Sequence, residues 1–317
     1  MVLKEIFSQL NVVAQCRRYG ISLWQCPQFL FCLMGIIIVS SSLLTYAIGN
    51  RYIGNPEVVA LLVLLTTLAL FVIAFTITRS FERLAEANRM KSEFVSIVSH
   101  QLRSPISNLK WAIELLMSGR IDSSSGKQSE YFRILKENSN RMEELVSDLL
   151  IVSRLETATL PIKNQETSLE DLIKTLIKEF EPLSQASNVG VRFCAQANLP
   201  KISTDPSQIT LVIENLLDNA IRYVKEKGRA EIMLSKKDRN ILFEIKDNGV
   251  GIPKDDQKYI FQKFFRSENV VKYQTQGSGL GLYISKTIIE KMGGKIGFSS
   301  QEGVGSTFWF TLPLISR

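Results

Sequence analysis

Apolar and polar positions alternate differently in successive parts of this chain. Phe29 to Ile48 carries no charged residue over twenty positions, and Val58 to Thr78 carries none over twenty-one. At 1.5 Å per residue each run reaches roughly 30 Å, about one bilayer core. Between them, Asn50-Arg51, Gly54 and Pro56 mark Gly49 to Glu57 as a turn. The pair reads as a transmembrane helical hairpin; the alternative is a buried helical pair in a soluble domain. The first run is too long and begins too late for a signal peptide.

From Ser80 to about Gly119 the pattern predicts one long helix. Val98, Leu102, Ile106, Leu109, Ile113 and Leu116 recur at spacings of three or four. His100 falls on the face opposite that stripe. Ile121-Asp-Ser-Ser-Ser-Gly126 breaks the helix. A second follows, with Tyr131, Leu135, Asn138, Met142, Leu145, Leu149 and Val152 in a heptad seam. Two antiparallel helices cannot cover both stripes. A homodimeric four-helix bundle is the economical solution, and a helical hairpin packed on the next domain is the alternative. Upstream, Ala87, Met90, Phe94 and Ile97 form one apolar row, and Phe81, Leu84, Val95 and Val98 an offset one. They read either as competing packings that a membrane signal shifts or as one static stripe.

Beyond the polar stretch Lys163–Ser168, helical and strand patterns mix. A helix is predicted near Leu169–Ser184. Strands are predicted near Val189–Ala195, Ala230–Ser235, Ile241–Asp247, Lys295–Ser299 and Ser306–Leu312. Several strands follow one another directly, so the pattern predicts an α/β sandwich rather than a doubly wound sheet. Asp205-Pro206 is a helix start, an N-cap followed by proline at the first helical position.

Composition narrows the function. The 317 residues hold 38 Lys and Arg against 31 Asp and Glu, a net charge of +7, with 45% hydrophobic residues. The length suggests about two domains. The excess of cations fits a membrane surface or an anionic ligand and is too small to indicate nucleic acid. Lys4, Arg17 and Arg18 precede the first apolar run, Arg79, Arg83, Arg89 and Lys91 follow the second, and the short loop holds only Arg51. The positive-inside rule puts both termini in the cytoplasm, with no room outside for a sensor domain. Four cysteines (Cys16, Cys26, Cys32 and Cys194) form no C-x-x-C pair, which disfavours a zinc site or a disulfide scaffold. The single histidine, His100, excludes chemistry that needs several imidazoles.

Candidate chemistry gathers in a few short segments. Ser99-His100-Gln101-Leu102-Arg103-Ser104-Pro105 places a solvent-facing imidazole beside a proline inside a helix. A neutral imidazole is a competent nucleophile near pH 7, although a lone surface histidine commonly has no task. Asn215 and Asn219 share a helix face at the rim of an apolar arc of Ile209, Val212, Leu216 and Ala220. They read as ligand contacts or as hydrogen-bond partners within the fold. Asp247-Asn-Gly249-Val-Gly251 ends a strand, and Gly277-Ser-Gly279-Leu-Gly281-Leu282 opens a helix. Such glycines admit phosphate to backbone N–H groups, or simply form turns. Neither run is the G-x-G-x-x-G of a dinucleotide fold. Ile260-Phe-Gln-Lys-Phe-Phe-Arg266 lies between them and reads alternatively as a packed amphipathic helix.

The order of these segments resembles the sensor histidine kinases of bacterial two-component systems over roughly residues 90–317. Ser99–Pro105 is similar to the H box and Glu214–Tyr223 to the N box. Asp247–Gly251 is similar to G1, Phe261–Arg266 to the F box and Gly277–Leu282 to G2. Gly303-Val-Gly305-Ser-Thr307 resembles the final glycine turn. The resemblance implies a multidomain membrane protein. A cytoplasmic segment (1–28) would precede two transmembrane helices (29–78) and a helical linker (79–92). A HisKA-type dimerisation and phosphotransfer hairpin (93–160) and an ATP-binding α/β sandwich of the Bergerat type (161–317) would follow.

It also implies ATP and Mg²⁺ as cofactors, His100 as phosphoacceptor, and Gln101 and Ser104 as its catalytic neighbours. Asn215 would hold Mg²⁺ with Asn219 nearby. Arg222 and Tyr223 would line the nucleotide site, and Asp247 would accept the adenine amino group. Gly249, Gly251, Ile252, Phe261, Lys263, Arg266, Gly277, Ser278, Gly279, Leu280, Gly281, Leu282 and Thr307 would complete it, with a lid over about 253–276. Expected partners are a second copy, a response-regulator receiver domain, membrane lipid and a membrane-protein signal source, but no nucleic acid. The expected location is the bacterial plasma membrane. Two residues depart from the family. Gln101 stands where a carboxylate usually accepts the imidazole proton, so slower autophosphorylation is expected, rescued by Gln101→Glu. Ser104 stands where Thr or Asn usually orients water for dephosphorylation. The competing expectations are a silent ATP-binding scaffold and an ATP-driven clamp.

Overall fold

The computed structural model describes residues 27–118, 127–157, 163–224, 227–267 and 277–314. Most of the expected cytoplasmic segment (residues 1–26), the break at 121–126 and lid residues 268–276 lie outside them. The chain divides into two compact units, residues 1–100 and 101–317.

In the first unit, helix α1 (Pro27–Tyr52) and the start of helix α2 (Pro56–Met117) carry the two apolar runs. The predicted turn is shorter than expected, because α1 continues through Asn50-Arg51 to Tyr52. Phe29–Tyr52 and Pro56–Glu86 are long and apolar enough to cross a membrane, and only 6% and 11% of their most apolar windows are buried. A soluble core helix would bury most of that surface. The two helices meet through the Ser42 and Thr67 hydroxyls, 2.7 Å apart. With one hydrogen each, one hydroxyl donates across to the other, and the accepting one donates to a carbonyl of its own helix, Ile38 O for Ser42 or Val63 O for Thr67. Near the turn, a Cβ on Gly49 would stand 2.8 Å from Val59 Cγ1, so glycine permits the close approach. Thr67→Val keeps the shape and removes the inter-helix bond. It is expected to weaken hairpin association by about 0.6 kcal/mol, read as a lower midpoint in detergent-denaturation titrations.

The second unit opens with residues 101–117 of α2, which pack on α3 (Lys127–Glu156). Ala112 and Pro105 on α2 and Leu145, Val152 and Leu155 on α3 are buried. Asn108 Nδ2 donates to Asn138 Oδ1, and Trp111 meets Tyr131 edge-on. Pro105 lies inside the helix. Its lack of an N–H costs one intrahelical bond, and burial of its ring is the compensating contact. Ile106 and Ile113 of the expected stripe stay 49% and 44% exposed.

The rest of the unit is a sheet with helices on one face. In chain order come β1 (Gln165–Thr167), α4 (Leu169–Glu179), α5 (Glu181–Ala186), β2 (Val189–Ala195), β3 (Ile202–Thr204) and α6 (Pro206–Arg222). Then follow β4 (Gly228–Lys237), β5 (Asn240–Asp247), α7 (Gly281–Lys291), β6 (Lys295–Gln301) and β7 (Gly305–Pro313). The main sheet runs β2-β4-β5-β7-β6, parallel only between β2 and β4. Ala230, Ile232 and Leu234 of β4, Ile241, Phe243 and Ile245 of β5, and Phe308, Phe310 and Leu312 of β7 are buried in strict alternation. Period-two burial is the mark of a sheet covered on one side. Phe243 and Phe310 are cross-strand partners and stack at 4.7 Å. The cover is α6, whose Ile209, Val212, Leu216 and Ala220 are all buried as the arc predicted, together with α7. Each of the larger side chains among them contributes roughly 2 kcal/mol.

Asp205 caps α6. Its Oδ1 accepts from Ser207 N, Ser207 Oγ and Gln208 N, and its Oδ2 from Lys163 N. Partial burial alone would raise this carboxyl, but those donors outweigh it and hold the pKa below the ordinary range.

One local expectation is corrected, one ribbon was not foreseen, and one alternative reading falls away. The helix predicted over 169–184 is two helices, parted at Phe180. Pro182 lacks the N–H that would continue the ladder. β1 and β3 pair with each other as a separate ribbon and are too short, at three residues each, to show alternation. Residues 254–264 form successive turns, so the F-box segment is no amphipathic helix. Phe264 there has a positive φ of 61°.

Candidate functional site

A cavity of about 590 Å³ opens in the second unit between α6, the C-terminal end of β5, the two glycine segments and the helical hairpin. That is the size of a nucleotide-class pocket. Local chain geometry explains each wall. The N-cap at Asp205 sets the phase of α6, so burying Leu216 and Ala220 turns Asn215, Asn219 and Arg222 to the cavity. Alternation on β5 puts Asp247 on the helix side, in series with Ile241, Phe243 and Ile245. Gly251 has φ +65°, and a Cβ there would come within 2.0 Å of Gln301 O. The turn after β5 therefore admits only glycine at that position.

Asp247 is the most constrained acidic group of the site. Its Oδ1 accepts from Gly249 N at 2.8 Å and Ser306 N at 3.2 Å. Burial raises its pKa, partly offset by those backbone donors. Both bonds fall on Oδ1, which leaves Oδ2 for a ligand donor. Tyr223 is raised by burial, with Arg266 opposing the shift. Arg222 Nε donates to Asp218 Oδ1 at 2.5 Å. Arg266 Nη1 donates to Gly277 O at 3.2 Å, tying the end of the F-box segment to the second glycine run. Glu214 is raised first by burial and then by the nearby Glu179.

The second glycine run meets the hairpin directly. Ser278 Oγ donates to Asp148 Oδ2 of α3 at 2.6 Å, and Gln101 Nε2 of α2 donates to Ser278 O at 3.3 Å. Leu280 N donates back to Ser278 Oγ, and Leu280 itself is fully buried at the start of α7. Burial raises the Asp148 carboxyl, with the Ser278 bond opposing. Gly281 is the close-approach point, because a Cβ there would stand 2.4 Å from Asn215 Oδ1. With glycine in place, that amide oxygen stays clear. A single amide oxygen suits Mg²⁺, which takes one or two protein oxygens and completes its shell with phosphates and water. Asn215 thus fits the expected metal ligand.

Of the expected residues, Gln101, Asn215, Asn219, Arg222, Tyr223, Asp247, Gly251, Ile252, Arg266, Gly277, Ser278, Gly279, Gly281 and Leu282 line the cavity. Gly249 and Leu280 are not in its lining; Gly249 N donates to Asp247 Oδ1, and Leu280 is buried. His100 and Ser104 are exposed on α2. Phe261 and Lys263 turn elsewhere. Phe261 packs edge-on to Phe298 beneath the Lys286 ammonium, while Lys263 pairs with Glu156 and lies over the Tyr283 ring. Thr307 is corrected outright. It alternates with buried Ser306 and Phe308 and pairs with Lys246, so it belongs to the opposite face of the sheet. Ser306, one residue earlier, lines the cavity instead, and its N–H donates to Asp247 Oδ1. The sequence reading also missed Arg141 and Asp148, which line the cavity from the hairpin. A signal existed for Asp148, a charge three residues after Leu145 and four before Val152, both on the buried arc.

This sandwich with a capped, asparagine-bearing helix and two glycine turns defines the nucleotide-binding class. Residues 204–316 match the family "Histidine kinase-, DNA gyrase B-, and HSP90-like ATPase". Residues 90–158 match "His Kinase A (phospho-acceptor) domain". The chain belongs to the sensor histidine kinases of bacterial two-component systems. The alginate biosynthesis sensor protein KinB of Pseudomonas aeruginosa is 33% identical over 236 residues, 74% of this chain and 38% of KinB. Sensor histidine kinase RppB of Synechocystis is 31% identical over 232 residues, 73% of this chain and 51% of RppB. The chain therefore spans about half or less of these curated relatives. The structure of histidine kinase ThkA in complex with response regulator protein TrrA superposes with a TM-score of 0.57 at 26% identity, over 74% of this chain and 63% of ThkA.

Proposed function

We propose that this chain is a membrane-bound histidine kinase that transfers the γ-phosphoryl group of ATP to His100 and then to an aspartate of a response regulator. The observation that carries this reading is the cavity itself. It joins Asp247, Asn215 and the second glycine run to Gln101, the residue that follows His100.

Asp247 Oδ2 accepts from the adenine amino group. Backbone N–H groups of the second glycine run meet the phosphates, and Asn215 and Asn219 hold the triphosphate end. Mg²⁺ bound at Asn215 supplies charge neutralisation for the phosphates. A neutral imidazole nitrogen of His100 forms the new N–P bond. The bond from the γ-phosphorus to the bridging oxygen breaks, and its electron pair leaves with ADP. The imidazole proton passes to solvent. Positioning and electrostatics supply most of the acceleration in such transfers. The exposed Ser104 hydroxyl, one turn after His100, orients water for the reverse loss of phosphate from the regulator.

The same proposal extends to architecture. Both apolar helices cross the plasma membrane, with the termini in the cytoplasm. A second copy covers the hairpin's exposed Ile106, Trp111, Ile113, Phe132, Val146 and Leu150, each more than 40% exposed.

The test is incubation of the full chain in lipid nanodiscs with γ-labelled ATP and Mg²⁺. The expected result is acid-labile label on the protein, absent in His100→Ala. ATP turnover without label would instead indicate a clamp, and nucleotide binding with neither would indicate a scaffold.

A further inference from the structure

Both helices of the hairpin grip the second glycine run, and they grip it at the same residue. Ser278 Oγ donates to Asp148 Oδ2 of α3 at 2.6 Å, and Ser278 O accepts from Gln101 Nε2 of α2 at 3.3 Å. Ser278 Oγ also accepts from Leu280 N at 3.1 Å, and Leu280 is fully buried where α7 begins. Asp148 is held as firmly at its own end. It lies three residues after Leu145 and four before Val152, both buried, so it stands beside the packed face of α3. A continuous chain of contacts thus runs from the hairpin core through Asp148 and Ser278 into the core of the sandwich.

A second fastening lies farther along α3. Lys291 Nζ, at the end of α7, donates at 2.6 Å to Leu155 O, one of the last-turn carbonyls that a helix leaves unsatisfied. Beside it, Lys263 pairs with Glu156. Leu155 is about 10 Å beyond Asp148 along the helix. One fastening would leave the sandwich free to turn on α3, and two fix its orientation. The end of α3 is also where the chain passes on to the sandwich, so the fastening there is the pivot and Asp148 sets the angle. A carboxylate suits that task, since a hydrogen bond to a charged acceptor is roughly twice as strong as a neutral one. Gln101 directly follows His100 in sequence, so the angle set at Ser278 places the glycine run against the helix that carries the acceptor.

We propose that Asp148 is a positioning residue for phosphoryl transfer, acting through Ser278 to hold the second glycine run in register with α2. This rests on the reading that the cavity takes Mg-ATP and that His100 receives the phosphoryl group. The bond from Leu280 N to Ser278 Oγ keeps the shape of the run without help from the hairpin. Nucleotide binding therefore does not depend on Asp148, whereas the transfer step does, because transfer rates are sensitive to small misplacements of the reacting groups.

The test uses the full chain in nanodiscs. Labelling rates are measured at varied ATP, and Mg-ADP affinity is measured by titration calorimetry. Asp148→Ala is expected to lower the labelling rate at saturating ATP about tenfold, the size of one hydrogen bond to a charged group. The KM for ATP and the ADP affinity should stay within about twofold, the split that marks an effect on transfer rather than on binding. Asp148→Asn keeps an oxygen that accepts from Ser278 and should recover part of the rate. In a Ser278→Ala background, Asp148→Ala should add little, because its effect runs through that hydroxyl. A faster rate in Asp148→Ala would make the contact a restraint and overturn the proposal. Parallel changes in rate and KM, or no change in either, overturn it as well and leave the kinase reading intact. A wild-type chain that takes no label overturns the kinase reading first, and this inference with it.

Discussion

Gly281→Ala is expected to slow autophosphorylation about a hundredfold without unfolding the protein. Gly281 is the first residue of α7, in ordinary helical backbone, so alanine there is favoured by roughly 1 kcal/mol of helix propensity. The only obstacle is its Cβ, 2.4 Å from Asn215 Oδ1 and 3.1 Å from Asn215 Cγ. Ordinary contact needs about 1 Å more, and the Asn215 amide yields because α6 and α7 are locked by their buried faces. A displacement of about 1 Å in a positioning group costs on the order of a hundredfold in rate. The check is a double-mutant cycle on labelling rate. In an Asn215→Ala background, Gly281→Ala should add almost nothing, because its whole effect runs through that amide. A full additional hundredfold in the double variant would place the damage elsewhere. Thermal melting of each protein separates misplacement from unfolding.

The site was legible where chemistry is written in local rules. Asp205-Pro206 announced the start of α6, and its apolar arc fixed which way Asn215 and Asn219 would turn. Strand alternation did the same for Asp247. What stayed hidden depends on partners far along the chain. Thr307 and Ser306 are adjacent, and a one-residue shift decides which one meets Asp247. Only the register of β5 against β7 settles that. Arg141 and Asp148 are charges beside the heptad seam, and only the contact of the second glycine run with α3 brings that part of the helix to the cavity.

Gln101 is the sharpest instance. By its place after His100 it reads as a poor substitute for a proton-accepting carboxylate. Across 177 residues its amide instead donates to Ser278 O. A glutamate cannot make that bond, and it would bring a second carboxylate to a loop already bonded to Asp148. The expected rescue by Gln101→Glu therefore competes with loss of a contact that ties α2 to the second glycine run. Both effects follow from one side chain, and they have opposite signs.

Asp247→Asn should separate binding from folding most cleanly. Asparagine keeps an Oδ1 to accept from Gly249 N and Ser306 N, so the turn after β5 survives. Its NH₂ then occupies the place of Oδ2 and faces the adenine amino group, donor against donor. Losing a hydrogen bond to a charged group and leaving a donor unmet costs about 3 kcal/mol, roughly a hundredfold in ADP affinity by calorimetry. Stability should move the other way. Burial raises the native Asp247 carboxyl, so its ionised form is disfavoured in the fold. The stability linked to this group is present while it is protonated and is lost as pH rises through the raised native value. The neutral amide removes that cost, so the variant should melt at or above the wild-type temperature at pH 7. The same shift sets a pH signature. As pH falls through the raised value, the wild-type carboxyl gains a proton and loses its acceptor, and ADP affinity should decline earlier than for an ordinary aspartate. That component should be missing from Asp247→Asn. A variant that binds ADP like wild type would remove Asp247 from the adenine contact, and the orientation of the nucleotide in the cavity with it.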